Sequence, residues 1–486
     1  MERQKLFEKK LIAGQWTLDQ NKTYAGTLSY DITEGIKLNI SGSNDVFYRK
    51  LCEKYNIVNG VCFVDGYCKN ATIFDACVEQ THSSGCLGEQ TLIFRDFWIG
   101  RSHFSSPQEV KFKKVTFKLN NLAHWIDNRH VYDFDMRPPK KYIYSLTAPD
   151  EIFLYEDEYV RITIQYIIHL PALGCPEKSS MYYVPHISCE AKEESLLYYG
   201  CKKGCFEYYI YAVCKLFFLL LRGATYLYNI VGYNKVEDQG TLYEVDVEHF
   251  YARDITHIQK QEVLPLHVFL PLKDLDSELP IIVQKYFEEY EKLDSLCGDL
   301  LCSLTSDSYR FNNLANLIYN LEGFIRIYYP EFEDQWAAQN APEKDEYLQK
   351  VQQIVDCCPE ELKAFAKKHL TLHCPFNKRI KNLLKKFKHL FPFLKNNEII
   401  KSIAKKISDL RIKAAHAKGT MDEAIEENFF AMLYFVEFLQ LAIILSVIGV
   451  PDRTIKKCFE YRFNSKFNFM NQEIEKYYAK RKEAKK

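Results

Sequence analysis

Two residues near the end of the chain have the types and spacing to do acid–base chemistry on a phosphate. Arg411 and His416 lie in KKISDLRIKAAHAKG, residues 405–419, with Lys413 between them and Asp409 just before. Histidine is the side chain most able to exchange a proton near neutral pH. Arginine offers a planar fork of donors that matches a phosphate. Together they are a minimal kit for cutting RNA without a metal. The 2′-hydroxyl is the nucleophile, a base takes its proton, an acid protonates the 5′-leaving oxygen, and a cation holds the charged phosphorane. One histidine cannot comfortably be base and acid in the same step. Two copies facing each other could supply both, so a two-fold pairing of chains is expected. Residues five apart on an ideal helix lie about 140° apart, which predicts that the helix ends or bends between Arg411 and His416. Spacing alone does not separate this reading from an ordinary helix end with solvated charges.

The charge around the pair favours a polyanion. The whole chain is neutral, with 64 Lys+Arg and 64 Asp+Glu. Residues 359–418, however, hold 16 basic residues against four acids (Glu360, Glu361, Glu398 and Asp409), a local charge of +12. A basic field of this size suits a phosphate backbone, and a solvated helical face is the competing reading. Lys385, Lys386, Lys388, Lys405, Lys406 and Lys418 are the candidate RNA-binding residues. With so few carboxylates in the window, two-metal chemistry is not expected there.

Other chemistry-bearing groups read more weakly. Cys175, Cys189, Cys201 and Cys205, with His186 nearby, could hold zinc, but their gaps are unlike a paired CxxC ribbon, and packed free thiols are the preferred reading. No metal or other cofactor is therefore expected. The opening MERQKLFEKKLIAG has no apolar core, so the 16 cysteines are read as reduced and the protein as cytoplasmic. The stretch 429–450 is long enough to span a bilayer but carries Glu437 and Gln440 at its centre. A central carboxylate costs about 2.5–3.5 kcal/mol in lipid, which favours a buried bundle helix and no membrane contact. His103 in WIGRSHF is read as a structural turn residue, and Trp16 and Trp125 as core anchors.

The elements that must position these groups change character along the chain. At 486 residues, two or three domains are expected. Residues 1–150 read as short β-strands: Leu28, Tyr30 and Ile32 alternate, turn at Glu34-Gly35, and resume at Ile36, Leu38 and Ile40, and a second hairpin turns at Asp65-Gly66. Such strands suggest a sandwich or barrel. Residues 151–275 read as mixed. YVRITIQYIIHL, TLYEVDVEHFYA and LPLHVFLPL are strand candidates, and 206–230 is a core helix. From 280 to 465 the period is helical, punctuated by Pro359, Pro375 and Pro392, and the last long helix opens at Thr420 with Glu423 in capping-box spacing. Residues 466–486 read as a basic tail, frayed over EKYYAKRKEAKK. The fold class is thus α+β and multidomain, a β-rich region followed by an all-α bundle.

Arg411 and His416, just before a long apolar helix in an all-α domain, resemble the Arg-x(4–6)-His motif of HEPN ribonucleases. The helix bearing Glu322 resembles an earlier HEPN helix with an acidic residue near the site. Ile412 departs from the pattern, since a polar residue commonly follows the arginine. The blocks LIAGQWTLDQNKTYAGTLSYDITEGIKLNISGS, NIVNGVCFVDGYCKNATIFDAC and FWIGRSHFSSPQEVKFKKVTFKLNNLAHWI resemble the ApeA N-terminal domain in order and content. The resemblance covers about residues 10–465. It implies an ApeA-like anti-phage defence protein, in which a phage-derived trigger releases abortive infection through RNA cleavage, tRNA being the substrate class. It also implies a homo-oligomer through the HEPN domain. Arg411 and His416 would be catalytic, with Asp409, Lys413 and Glu322 in support. A non-catalytic HEPN adaptor that binds RNA or dimerises is the alternative.

Overall fold

The computed structural model describes residues 9–18, 22–31, 35–43, 53–84, 87–126, 150–169, 182–192, 195–221, 225–238, 241–251, 268–305, 311–339, 341–369, 374–416 and 429–483. It forms two compact units, Met1–Gln284 and Lys285–Lys486.

The first unit is built on antiparallel hairpins. Its opening strands are β1 (Lys10–Thr17), β2 (Thr23–Asp31), β3 (Gly35–Ser43), β4 (Lys54–Val64), β5 (Tyr67–Ser84) and β6 (Leu87–Phe94). They pair in the order β5-β4-β1-β2-β3-β6, and β6 returns to pair with β5, so six strands close into a barrel. The anticipated alternation sets the inner face: Leu28 opposes Leu38, and both are fully buried with Trp16, Ile40, Val58, Ile73 and Leu92. The β4–β5 hairpin turns at Asp65 and Gly66, both with positive φ (51° and 85°), the conformation a two-residue hairpin of the right twist requires. Gly60 lies where a side chain would press into the Trp16 ring, so the barrel needs a glycine there.

β5 also carries the sheet onward. β7 (Asp96–Gly100), β8 (Lys111–Phe112), β9 (Lys114–Leu119), β10 (Ile152–Glu156), β11 (Val160–His169), β12 (Tyr182–Ala191), β13 (Leu197–Tyr198), β14 (Leu227–Asp238) and β15 (Thr241–Tyr251) complete the strands. From β5 the sheet runs β7-β15-β14-β9-β12-β11-β10, while β8 and β13 pair separately. Two helices belong to this unit's core, α1 (Leu122–Ile126) and α2 (Phe206–Leu221). Trp125 is fully buried, stacks edge-on to Phe217 of α2, and donates its indole N–H to the Leu270 carbonyl at 2.6 Å.

Two expectations for this unit need correction. The apolar run 206–230 is helix over Phe206–Leu221, but its end is strand, opening β14 at Leu227. LPLHVFLPL is not a strand across its described part. Val268, Phe269 and Leu270 are fully buried in irregular chain whose polar groups are met by Leu220 and Trp125 instead of a ladder.

The second unit is helical. After α3 (Leu272–Leu275) of the first unit, α4 (Leu279–Thr305) leads into α5 (Phe311–Tyr328), α6 (Glu331–Gln339), α7 (Ala341–Cys357), α8 (Glu360–His369), α9 (Phe376–Phe387), α10 (Asn397–His416), α11 (Phe429–Val447), α12 (Asp452–Lys457) and α13 (Asn464–Glu483). Among the described residues, α11 alone is long and apolar enough to cross a membrane. It is buried within the bundle, where the Glu437 carboxylate accepts from Ser303 and Gln440 donates to the Leu317 carbonyl. These bonds offset part of the cost of two buried polar groups in an apolar core, and the Gln440 amide oxygen is left without a partner among the described residues. The Thr420–Glu423 box lies outside the described residues. The stretch expected to fray, from Glu475, continues α13 as helix to Glu483, and earlier in that helix Phe467, Met470 and Ile474 pack at helical spacing into the core.

Candidate active site

Arg411 stands where a buried stripe reaches the surface. On α10 the residues Ile400, Ile403, Ala404, Ile407 and Leu410 are buried, and Arg411 continues their spacing four residues after Ile407. Its side chain is 34% exposed and turns towards α5, where Nη2 donates to Oε2 of Glu322 at 2.6 Å. The other oxygen of Glu322 accepts from Arg326 Nη2 at 2.8 Å, one turn along the same helix. One carboxylate therefore grips two guanidiniums, a net charge of +1. Arg411 also lies over the ring of Phe376, 5.0 Å from its centroid, and 6.0 Å from that of Tyr319. Ring faces attract a guanidinium and fix its plane. Its Nε is buried without a hydrogen-bond partner among the described residues, so Glu322 does not satisfy the whole fork.

The helix does not end between Arg411 and His416. α10 runs unbroken to His416, its last residue, because Ile412-Lys413-Ala414-Ala415 contains no breaker and two of the strongest helix formers. Helix phase puts the backbone position of His416 about 140° from Arg411. It lies on the stripe of Lys405, Asp409 and Ile412, all exposed. The His416 side chain lies outside the described residues, as does Lys418. Lys413 is exposed.

Comparison with known proteins decides what this geometry belongs to. Residues 12–286 match the family model of ApeA N-terminal domain 1, and residues 315–454 match that of the Apea-like HEPN domain. The chain belongs to the ApeA family. No curated protein and no solved structure gives a significant match. The HEPN match contains Glu322, Arg326, Phe376, Arg411 and His416. The ApeA match covers the barrel and the sheet that extends from it.

Within the HEPN domain the nominated lysines divide. Lys386 sits over the Tyr329 ring at 4.8 Å and Lys406 over that of Tyr477 at 4.5 Å, so both cover aromatic faces of the bundle. Lys385, Lys388 and Lys405 are exposed. Other members of the basic window are neutralised locally. Arg379 is buried against Glu333 at 2.7 Å, Lys363 pairs with Glu360 at 2.7 Å, and Lys395 with Glu475 at 2.7 Å. Arg326, Tyr319 and Phe376 were not among the residues the sequence reading nominated. The signal for Arg326 was its i,i+4 spacing from Glu322.

In the ApeA N-terminal domain the nominated cysteines that are described, Cys189, Cys201 and Cys205, are free thiols. Cys189 is fully buried on β12, where burial and the neighbouring Cys214 hold the thiol neutral. Cys201, on the loop before α2, donates to Glu207 Oε2 at 3.6 Å. Cys175 lies outside the described residues. Among those described, no three His, Cys, Asp or Glu side chains form a metal-binding group. His186 is buried on the same strand as Cys189. Desolvation, with Lys114 and Lys118 adding to it, pushes its pKa down to about 4. His103 faces the Ala71 carbonyl at 3.0 Å, as a structural turn residue should.

Proposed function

We propose that this ApeA-family chain is a metal-independent endoribonuclease acting in anti-phage defence, in the cytoplasm, with tRNA as the substrate class. The observation that carries this reading is the Arg411 guanidinium held by Glu322 at 2.6 Å, five residues before His416 in a matched HEPN domain. Arg411 stabilises the phosphorane, His416 transfers protons at the 2′-oxygen and the 5′-leaving oxygen, and Glu322 positions Arg411. Two HEPN domains pair across a two-fold axis, so that one histidine serves as base and the other as acid. The ApeA N-terminal domain senses a phage-derived trigger and restrains the nuclease.

Arg411→Ala and His416→Ala should each abolish RNA cleavage and cellular toxicity while leaving the far-UV CD spectrum unchanged. Loss of a proton-transfer group costs about 10²–10⁴ in rate. Wild-type cleavage by either variant would place the active site elsewhere. One observation favours a second reading, a non-catalytic HEPN adaptor. Ile412 is 52% exposed, an apolar side chain on the same stripe as the histidine. That face then serves contact with a partner instead of catalysis, and the same two variants would leave toxicity unchanged.

A further inference from the structure

α9 and α10 form a helical hairpin that carries lysines without ion-pair partners among the described residues. Phe376 at the start of α9 touches Arg411 near the end of α10, so the helices run antiparallel. On α9, Lys378, Lys381 and Lys385 recur at i, i+3 and i+7, which is one stripe about 10 Å long at 1.5 Å per residue. On α10, Lys401 and Lys405 recur at i and i+4. Lys381 is half-buried between its neighbours. Burial and the charges of Lys385, Lys378 and, from the other helix, Lys401 lower its pKa. Lys378, Lys385, Lys401 and Lys405 are exposed, and none of the five is ion-paired among the described residues. α9 carries no acidic residue, and α10 carries only Glu398 and Asp409. Holding like charges together without partners is unfavourable in the free protein and becomes favourable when a polyanion lies across them.

We propose that the stripe of Lys378, Lys381, Lys385 and Lys401 is the track for a single-stranded RNA backbone, leading to the Arg411–Glu322–Arg326 cluster. The register supports a direction. Lys378 lies two residues after Phe376, so the stripe on α9 approaches Arg411 at that end of the hairpin. At that end Tyr319 is 39% exposed beside Arg411, an aromatic face on which an unstacked base can rest. Phosphate-tracking cations beside an aromatic platform are the pattern for sequence-tolerant single-strand binding. Lys386 and Lys406 are excluded from the track, since each is committed to a tyrosine ring. This inference rests on the nuclease reading for its destination but not for its binding surface.

The test is the salt dependence of binding, measured on full-length His416→Ala protein with a fluorescently labelled, mixed-sequence single-stranded RNA. Changing Lys378, Lys381, Lys385 and Lys401 together to Gln should reduce the slope of log K against log salt by about 3, at about 0.7 per phosphate contact. Binding at moderate salt should weaken by an order of magnitude or more. The double variant Lys386→Gln/Lys406→Gln should leave the slope within experimental error of the parent. An unchanged slope in the quadruple variant overturns the track. The nuclease reading stands or falls separately, on cleavage by the protein with His416 restored.

Discussion

The Arg411–Glu322 contact separates two kinds of contribution that a static ion pair confounds. The pair is a third exposed on the arginine side, and such pairs contribute about 0–1 kcal/mol to stability. A merely structural pair would therefore show little when broken. A positioning pair would show much, because a misplacement of about 1 Å costs roughly a hundredfold in rate. Glu322→Gln should accordingly lower kcat by about two orders of magnitude with KM for RNA little changed and the urea midpoint nearly constant. Equal small losses in kcat/KM and stability would reduce Glu322 to a bundle carboxylate. His186 gives a residue-scale prediction of a different kind. Its folded pKa, about 4, is below the usual value of 6.5, so the unfolded chain binds the proton more readily. Its contribution to stability is complete above about pH 6.5 and is lost as pH falls towards 4. Urea midpoints of wild type should fall across that window, and His186→Gln should flatten that part of the slope.

At the scale of elements, the barrel depends on a few close approaches. Gly60→Ala would drive a methyl into the Trp16 ring and should cost about 1–3 kcal/mol, read as a lower urea midpoint of the ApeA N-terminal unit. Much of this level was legible in the sequence because the signals are local. Asp65-Gly66 specifies its own turn, and the alternation through Leu28 and Leu38 specifies which face is buried. Barrel closure was not legible, since the β5–β6 pairing coexists with β4 and β7 on the same 18-residue strand. The helix runs through His416 because the helix propensity of Ala414 and Ala415 outweighs the 140° separation of the pair, which carries no information about where a helix stops. The lysines were read by charge alone. Their true environments depend on Tyr329 and Tyr477, which lie 57 and 71 residues away along the chain from Lys386 and Lys406. Arg411 and His416 were readable from spacing and resemblance. The second guanidinium on Glu322 and the rings of Phe376 and Tyr319 required the packing of three helices.

In the whole molecule, an ApeA N-terminal unit built on a 13-stranded sheet precedes a HEPN unit that carries a lysine-rich helical hairpin. The chemistry assigned to that hairpin makes a specific demand on the products. If the substrate's own 2′-hydroxyl attacks, the 5′ fragment ends in a 2′,3′-cyclic phosphate and the 3′ fragment begins with a free 5′-hydroxyl. Water activated on a metal ion would leave neither signature. Arg411 and the lysines of α9 and α10 supply the positive charge in this scheme, so chelators should not matter. The most direct measurement is therefore mass analysis of RNA cut by the full-length protein in EDTA, beside the same RNA carrying one 2′-deoxy nucleotide at the scissile position. The account predicts cyclic-phosphate and 5′-hydroxyl ends from the first and no cut at that position in the second. Efficient cutting of the 2′-deoxy substrate, or cleavage that requires Mg²⁺, would contradict the roles assigned to Arg411 and His416.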